Sequence, residues 1–147
     1  MGNSSNERRV GFLLERTTRI LKLGFTRAFG KIGVDITPEQ WIILDTLYTK
    51  GNYSQVQLAQ IIFKNTPTVS RILDILVKKN LVKRKVPDDD RRVTMISITK
   101  EGRLLVDKCY PEIQKVRSLS WSDLSEEDFD QFTRILDKVF NNMKSYH

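Results

Sequence analysis

Along residues 10–32, apolar or small side chains recur at Val10, Leu13, Leu14, Thr17, Leu21, Gly24, Ala28 and Ile32, a spacing of three and four that predicts a stripe on one long amphipathic helix. Gly24 and Gly30 weaken it, each by about 1 kcal/mol relative to alanine. The next helix is signed by Thr37-Pro-Glu-Gln40, which offers a capping hydroxyl, proline at the first helical position and a glutamine that reaches back to the cap. Ile36 and Trp41 fall at the positions of a hydrophobic staple, and the stripe continues through Leu44 and Leu47 to a turn at Lys50-Gly-Asn52. A second capping box, Ser54-Gln-Val-Gln57, opens a short helix carrying Leu58, Ala59 and Ile62 inward, and Phe63-Lys-Asn65 breaks it. Thr66-Pro67 repeats the cap-then-proline signature and starts a helix with Val69, Ile72, Leu73 and Leu76 on one face. Asn80 suits the left-handed position past its end, with Leu81 packing back on Leu76. Two short helices around a tight turn predict a helix-turn-helix.

The period then changes. Residues 81–86 and 93–99 favour strands and flank a polar tip from Pro87 to Arg92, so a hairpin is expected with Thr94, Ile96 and Ile98 toward one face. Thr99 caps a further helical region in which Leu105, Cys109, Ile113 and Val116 share a face and Pro111 introduces a bend. Ser125-Glu-Glu-Asp128 caps the last helix, Leu124 is placed to staple on Phe129, and the stripe is Phe129, Phe132, Leu136, Val139, Phe140 and Met143. So much apolar surface on end helices calls for a partner. The fold class expected is mainly α with a small β-hairpin (α+β), folded as one compact unit.

Charge points to what that partner set includes. Lys and Arg total 25 against 18 Asp and Glu, a net +7, which favours a polyanion. Residues 51–100 hold ten basic and four acidic side chains, whereas residues 101–147 are net acidic. The excess sits on the helix-turn-helix and hairpin. The lone Cys109 cannot form an intrachain disulfide, and no apolar run approaches the roughly 18 to 20 residues of a membrane helix, so a cytoplasmic protein is expected. Residues 1–7 read as a flexible polar tail. The single histidine, His147, leaves little material for His-based catalysis or a His-containing metal site. Asp88-Asp-Asp90 lacks the glycine and glutamate of a calcium loop, and on an exposed tip the three carboxylates have no pocket to separate their pKa values. No metal, no cofactor and no enzymatic activity are expected. Cys109, on an apolar helical face, reads as a buried inert thiol.

The segments ITPEQWIIL, SQVQLAQIIFKNTPTVSRILDILVKKNLVKR and DDDRRVTMISITKEG together resemble the MarR family of bacterial transcription regulators over roughly residues 8–143. The most specific local motif is Asp-x-Arg on the wing, matched by Asp90-Arg91-Arg92. The resemblance implies a winged helix-turn-helix, with residues 37–102 as the DNA-binding lobe, the wing at 81–99, and end helices at 8–36 and 103–143 joining two copies. It further implies a homodimer on double-stranded, pseudo-palindromic operator DNA, acting as a repressor.

Under that reading the helix over residues 66–79 enters the major groove. Pro67, Arg71, Asp74 and Lys78 face outward, flanked by Thr68 and Ser70, with Arg71 the candidate for direct base readout. Thr66 and the helix start, with Ser54 and Gln55 at the preceding one, are placed to bind phosphate. Lys64, Lys78, Lys85 and Arg91 supply nonspecific attraction. On an extended wing Asp90 and Arg92 face one side, so the carboxylate orients the guanidinium for a narrow minor groove. The alternative is an exposed ion pair worth about 0 to 1 kcal/mol. The resemblance also implies a small anionic effector that releases DNA, for which Phe12, Arg16, Trp41 and Tyr48 offer a crevice, although aromatics on helical stripes equally suit a core. A winged-helix module for protein–protein assembly is the rival reading; it lacks the steep salt dependence of duplex binding.

Overall fold

The computed structural model describes residues 4–146 and contains six helices and three short strands among them. In chain order these are α1 (Ser4–Lys31), α2 (Pro38–Lys50), β1 (Tyr53–Ser54), α3 (Gln55–Ile61), α4 (Thr66–Lys78), β2 (Val82–Lys85), β3 (Met95–Ile98), α5 (Lys100–Ser120) and α6 (Glu126–Lys144). The mainly helical class with a hairpin wing is as expected. Residues 1–3 and His147 lie outside the described residues, and with them the first part of the tail expected over residues 1–7. From Ser4 the chain is helical, with Glu7 in the first turn, where the helix dipole favours an acid.

The capping signals land where the sequence places them. Thr37 Oγ1 accepts from the Gln40 N–H while Gln40 Oε1 accepts from the Thr37 N–H, and Ser54 with Gln57 forms the same reciprocal pair. Ile36 and Trp41 are both buried. At the end of α4, Asn80 adopts φ 59°, its N–H donates to Val77 O, and the Leu81 N–H donates to Leu76 O, which is the Schellman pattern. One cap moves. The N-cap of α4 is Asn65, whose Oδ1 accepts from the Thr68 N–H at 2.8 Å, so Thr66 becomes the first helical residue and Pro67 the second. Asparagine's carbonyl does what a threonine hydroxyl was expected to do one residue later.

The hairpin is joined by a third strand. β1 pairs antiparallel with β3 (Tyr53 opposite Ile96), giving the order β1-β3-β2, and β2 pairs Val82 with Ile98 and Arg84 with Ile96. A two-residue strand carries no readable alternation, which is why periodicity misses it. Ile96 and Ile98 are buried as the alternation requires.

The chain divides into two compact units, one running to Val116 and one from Arg117 onward, where one was expected. In the first, Phe29, Ile43, Leu44, Leu47, Leu58, Val69, Leu73, Leu76, Ile96, Val106 and Ile113 form a fully buried core; each such side chain contributes about 1.5–3 kcal/mol through removal from water. The start of α5 is seated on the end of α4: Thr99 N–H donates to Leu81 O, its hydroxyl donates to Asn80 O, and Gly102 N–H donates back to that hydroxyl. A Cβ on Gly102 would lie 2.2 Å from Leu81 O, so only glycine permits this approach. α5 passes through Pro111 without interruption. In the second unit, Ser125 and Asp128 form a capping box, and Trp121 packs edge-on against Phe129 and tilted against Phe132, at 6.0 and 6.4 Å between ring centroids. α6 buries none of its residues.

Candidate nucleic-acid interface

The geometry of α4 follows from its stripe. Val69, Leu73 and Leu76 are fully buried and Ile72 packs against the core, so the opposite face must meet solvent. Pro67, Arg71, Asp74, Ile75 and Lys78 are exposed there, with Thr68 and Ser70 half-buried at the edges. Arg71 Nη2 lies 3.5 Å from the Thr68 hydroxyl, a long contact.

Backbone donors at the helix starts are fewer than the sequence implied. At α4 the Thr68 N–H is taken by Asn65, the Val69 N–H donates to Asn65 O, and Pro67 has none. Ser54 is closed into its capping box, and the Gln55 N–H donates to Thr94 O at 3.0 Å, coupling α3 to the wing. The backbone donors left at these starts are the Val56 N–H of α3 and the Thr66 N–H of α4.

Asp74 and Ser70 also find a partner inside the chain. Arg84, on β2, directs Nη1 to the Asp74 carboxylate at 2.5 Å and Nη2 to the Ser70 carbonyl at 3.0 Å, with the Ser70 hydroxyl 3.4 Å away. Sequence reasoning missed Arg84. Its signal was the period of two, which puts Arg84 on the same side of the strand as buried Val82 and thus toward α4.

The wing tip differs from an extended strand. Residues 88–92 turn, the Asp90 carboxylate accepts from the Arg92 backbone N–H at 3.0 Å, and Arg92 Nε is 4.0 Å away at the limit of ion pairing. Asp90 therefore shapes the turn, a side-chain mimic of a backbone hydrogen bond, instead of clamping the guanidinium. The Arg92 side chain is 95% exposed. Arg91, Lys85 and, in the turn before α4, Lys64 are exposed as well.

Residues 36–94 match the model of the MarR family. Over 135 residues the chain is 30% identical to the HTH-type transcriptional regulator MhqR of Bacillus subtilis (strain 168), covering 92% of each protein. This chain belongs to the MarR family. Among solved structures it is similar to a complex of Staphylococcus aureus MepR with DNA (28% identity, TM-score 0.79, covering 90% of this chain and 96% of that one). It also shares its fold with a mutant Escherichia coli MarR complexed with operator DNA (21%, 0.80, 94% and 99%) and with Bordetella bronchiseptica BpsR, whose DNA binding is regulated by 6-hydroxynicotinic acid (22%, 0.77, 88% and 91%). As a MarR-family member it is a sequence-specific DNA-binding transcription regulator that works as a homodimer, and not an enzyme.

The four residues read as a crevice do not come together in this MarR-family chain. Phe12 and Arg16 line a shallow groove of about 300 Å³ along α1 with Glu15, Arg19, Ile20 and Leu23. Trp41 is a core residue, 3% exposed, with its ring 5.7 Å from that of Phe29. Tyr48 donates its hydroxyl to Asp107 and lies under the Arg103 guanidinium at 5.6 Å; the hydrogen bond to Asp107 raises its pKa. Tyr48 thus ties α2 to α5. Cys109 is fully buried, and burial pushes its thiol up to about 11, so it is protonated and inert at neutral pH. Among the described residues no cluster of His, Cys, Asp or Glu is placed to hold a metal ion, and no helix is long and apolar enough to cross a membrane.

Proposed function

We propose that this regulator is a repressor that grips a pseudo-palindromic operator with α4 in the major groove and the wing, residues 85–93, in the adjacent minor groove. The observation that carries the reading is that one packed lobe presents both an exposed helical face bearing Arg71 and Lys78 and an exposed wing tip bearing Arg91 and Arg92. An α-helix fits the major groove, and an arginine suits the negative potential of a narrow minor groove. Thr68, Ser70 and Pro67 flank Arg71 at the base edges, while Lys64, Thr66, Lys78, Lys85 and Arg91 lie toward phosphate.

Dimerisation would use α1, α5 and α6, whose apolar residues Val10, Phe12, Ile20, Leu23, Leu119 and Leu136 are exposed in the single chain. Two copies would then read half-sites about 10 base pairs apart. Release by a small aromatic acid belongs to the same proposal, with BpsR as the precedent.

The test uses a duplex enriched from a random-sequence pool by the wild-type protein. Arg71→Ala is expected to cost about 1–3 kcal/mol and to relax discrimination at major-groove positions, whereas Arg92→Ala weakens binding with little change in that discrimination. Affinity should fall steeply with salt. Binding by both variants at wild-type strength would overturn the site assignment, and a transcription assay in which the protein raises output from the bound promoter would overturn the repressor role.

A further inference from the structure

Arg84 makes contacts that neither core packing nor simple surface charge requires. Its backbone is anchored in the sheet opposite Ile96, a fully buried residue, and its guanidinium crosses to α4, where it meets two acceptors one helical turn apart, the Ser70 carbonyl and the Asp74 carboxylate. We propose that Arg84 is a positioning residue for DNA reading, holding α4 at one rotation against the wing and neutralising Asp74, the single acidic residue of α4. The inference rests on α4 being the major-groove helix.

Two physical arguments support it. The planar fork of arginine reaches both acceptors at once, which the single ammonium of lysine cannot do in the same geometry. Base readout depends on placement within about half an ångström, and Arg84 links the two elements that would enter neighbouring grooves. The second argument is electrostatic. Asp74 sits between Arg71 and Lys78 on the exposed face, so without Arg84 its carboxylate would oppose the phosphates that the two cations attract. An exposed ion pair by itself adds little stability, which makes DNA discrimination, and not the unfolding midpoint, the sensitive readout.

The experiment measures affinity for the duplex enriched by the wild-type dimer and for copies of it with single base-pair substitutions. Arg84→Lys is expected to keep the thermal midpoint and the salt slope, lose about fivefold or more in affinity for the enriched duplex, and discriminate less against the substituted ones. Arg84→Gln should lose more. Adding Asp74→Asn to it should recover affinity for all duplexes without recovering discrimination, because the exposed carboxylate is gone while the strap is still missing. Wild-type discrimination in Arg84→Lys overturns the positioning role. Failure of Asp74→Asn to recover any affinity overturns the neutralising role and assigns Arg84 to a direct phosphate contact. If Arg84→Gln does not fold, Arg84→Lys and Asp74→Asn singly carry the same comparison, the latter expected to raise overall affinity and lower discrimination. Arg71→Ala serves as the control. Should it bind like wild type, the placement of α4 itself fails; should it lose discrimination while the Arg84 variants do not, only the Arg84 inference fails.

Discussion

Helices α4 and α6 carry equally regular apolar stripes, and the chain treats them in opposite ways. Val69, Leu73 and Leu76 of α4 are fully buried, whereas Phe132, Leu136, Val139, Phe140 and Met143 of α6 all remain exposed. Amphipathicity therefore does not distinguish a core helix from an interface helix; what distinguishes them is whether the complementary surface lies in the same chain. In α4 that surface is supplied by α2, α3 and the sheet. For α6, a row of exposed aromatic and aliphatic side chains is the kind of patch that marks an association surface, and the proposed partner is a second copy.

Leu73→Ala removes a fully buried side chain and leaves a cavity, so it should destabilise the first unit by about 2–5 kcal/mol. A urea titration should show a lower midpoint at unchanged slope. The same truncation at Leu136, made on protein diluted until it is monomeric, should change stability by no more than about 0.5 kcal/mol. Equal costs at the two positions would mean that α6 is already packed within its own chain.

A charge on α6 sharpens the contrast from the other side. Leu136→Glu places a carboxylate in the proposed interface, where desolvating it without a partner is unfavourable, so sedimentation should show monomer at concentrations where the wild type is dimeric. The unfolding transition of the first unit, measured in both proteins at the same dilution, should coincide. Affinity for a two-half-site operator should drop by at least about a hundredfold, toward that of one lobe, because the linked second site is lost. A persistent dimer with full operator affinity would exclude α6 from the interface.

Legibility in the sequence divides along the same line between local and long-range physics. The three capping boxes and the left-handed Asn80 act within one or two turns, and their residue types name their geometry, whereas Gly102 is required by the close approach of Leu81 O, which no local pattern announces. The shift of the α4 cap from Thr66 to Asn65 shows the resolution of such signals: two adjacent residues could both cap, and asparagine takes the role although Pro67 then stands at the second helical position and not at the first, which proline favours. The Arg84 strap spans ten residues of sequence and two element types: the period of two along β2 turns Arg84 toward α4, but the acceptors it meets there depend on a packing arrangement that no local pattern encodes. The same holds for Trp41 and Tyr48, which aromatic character alone could assign to a crevice or a core; the approach of Phe29 and Asp107 decides for structure. At the wing tip, the spacing of Asp90 and Arg92 predicts a side-chain pair on an extended strand, whereas the turn directs the carboxylate to the Arg92 backbone N–H and leaves Arg92 Nε 4.0 Å away.

The smallest effect separates the two regions most finely, because both contain the same device. Thr37 with Gln40 caps α2, and Ser125 with Asp128 caps α6 at nearly equal hydrogen-bond lengths. Removing either hydroxyl by substitution with alanine should cost about 1 kcal/mol. Gln40 is buried, only 5% exposed, so Thr37→Ala withdraws the acceptor of an amide that water reaches poorly, and the loss should appear in the cooperative unfolding of the first unit. Ser125 and Asp128 are exposed. Water replaces the lost acceptor there, and α6 has no core to transmit the change, so Ser125→Ala should leave the main transition in place and instead speed amide exchange at residues 126–129. That acceleration should fade as protein concentration rises and the proposed dimer covers α6. Exchange that stays fast in the concentrated sample would place this helix start outside the interface, while a shift of the main transition would show that α6 folds as one unit with the lobe.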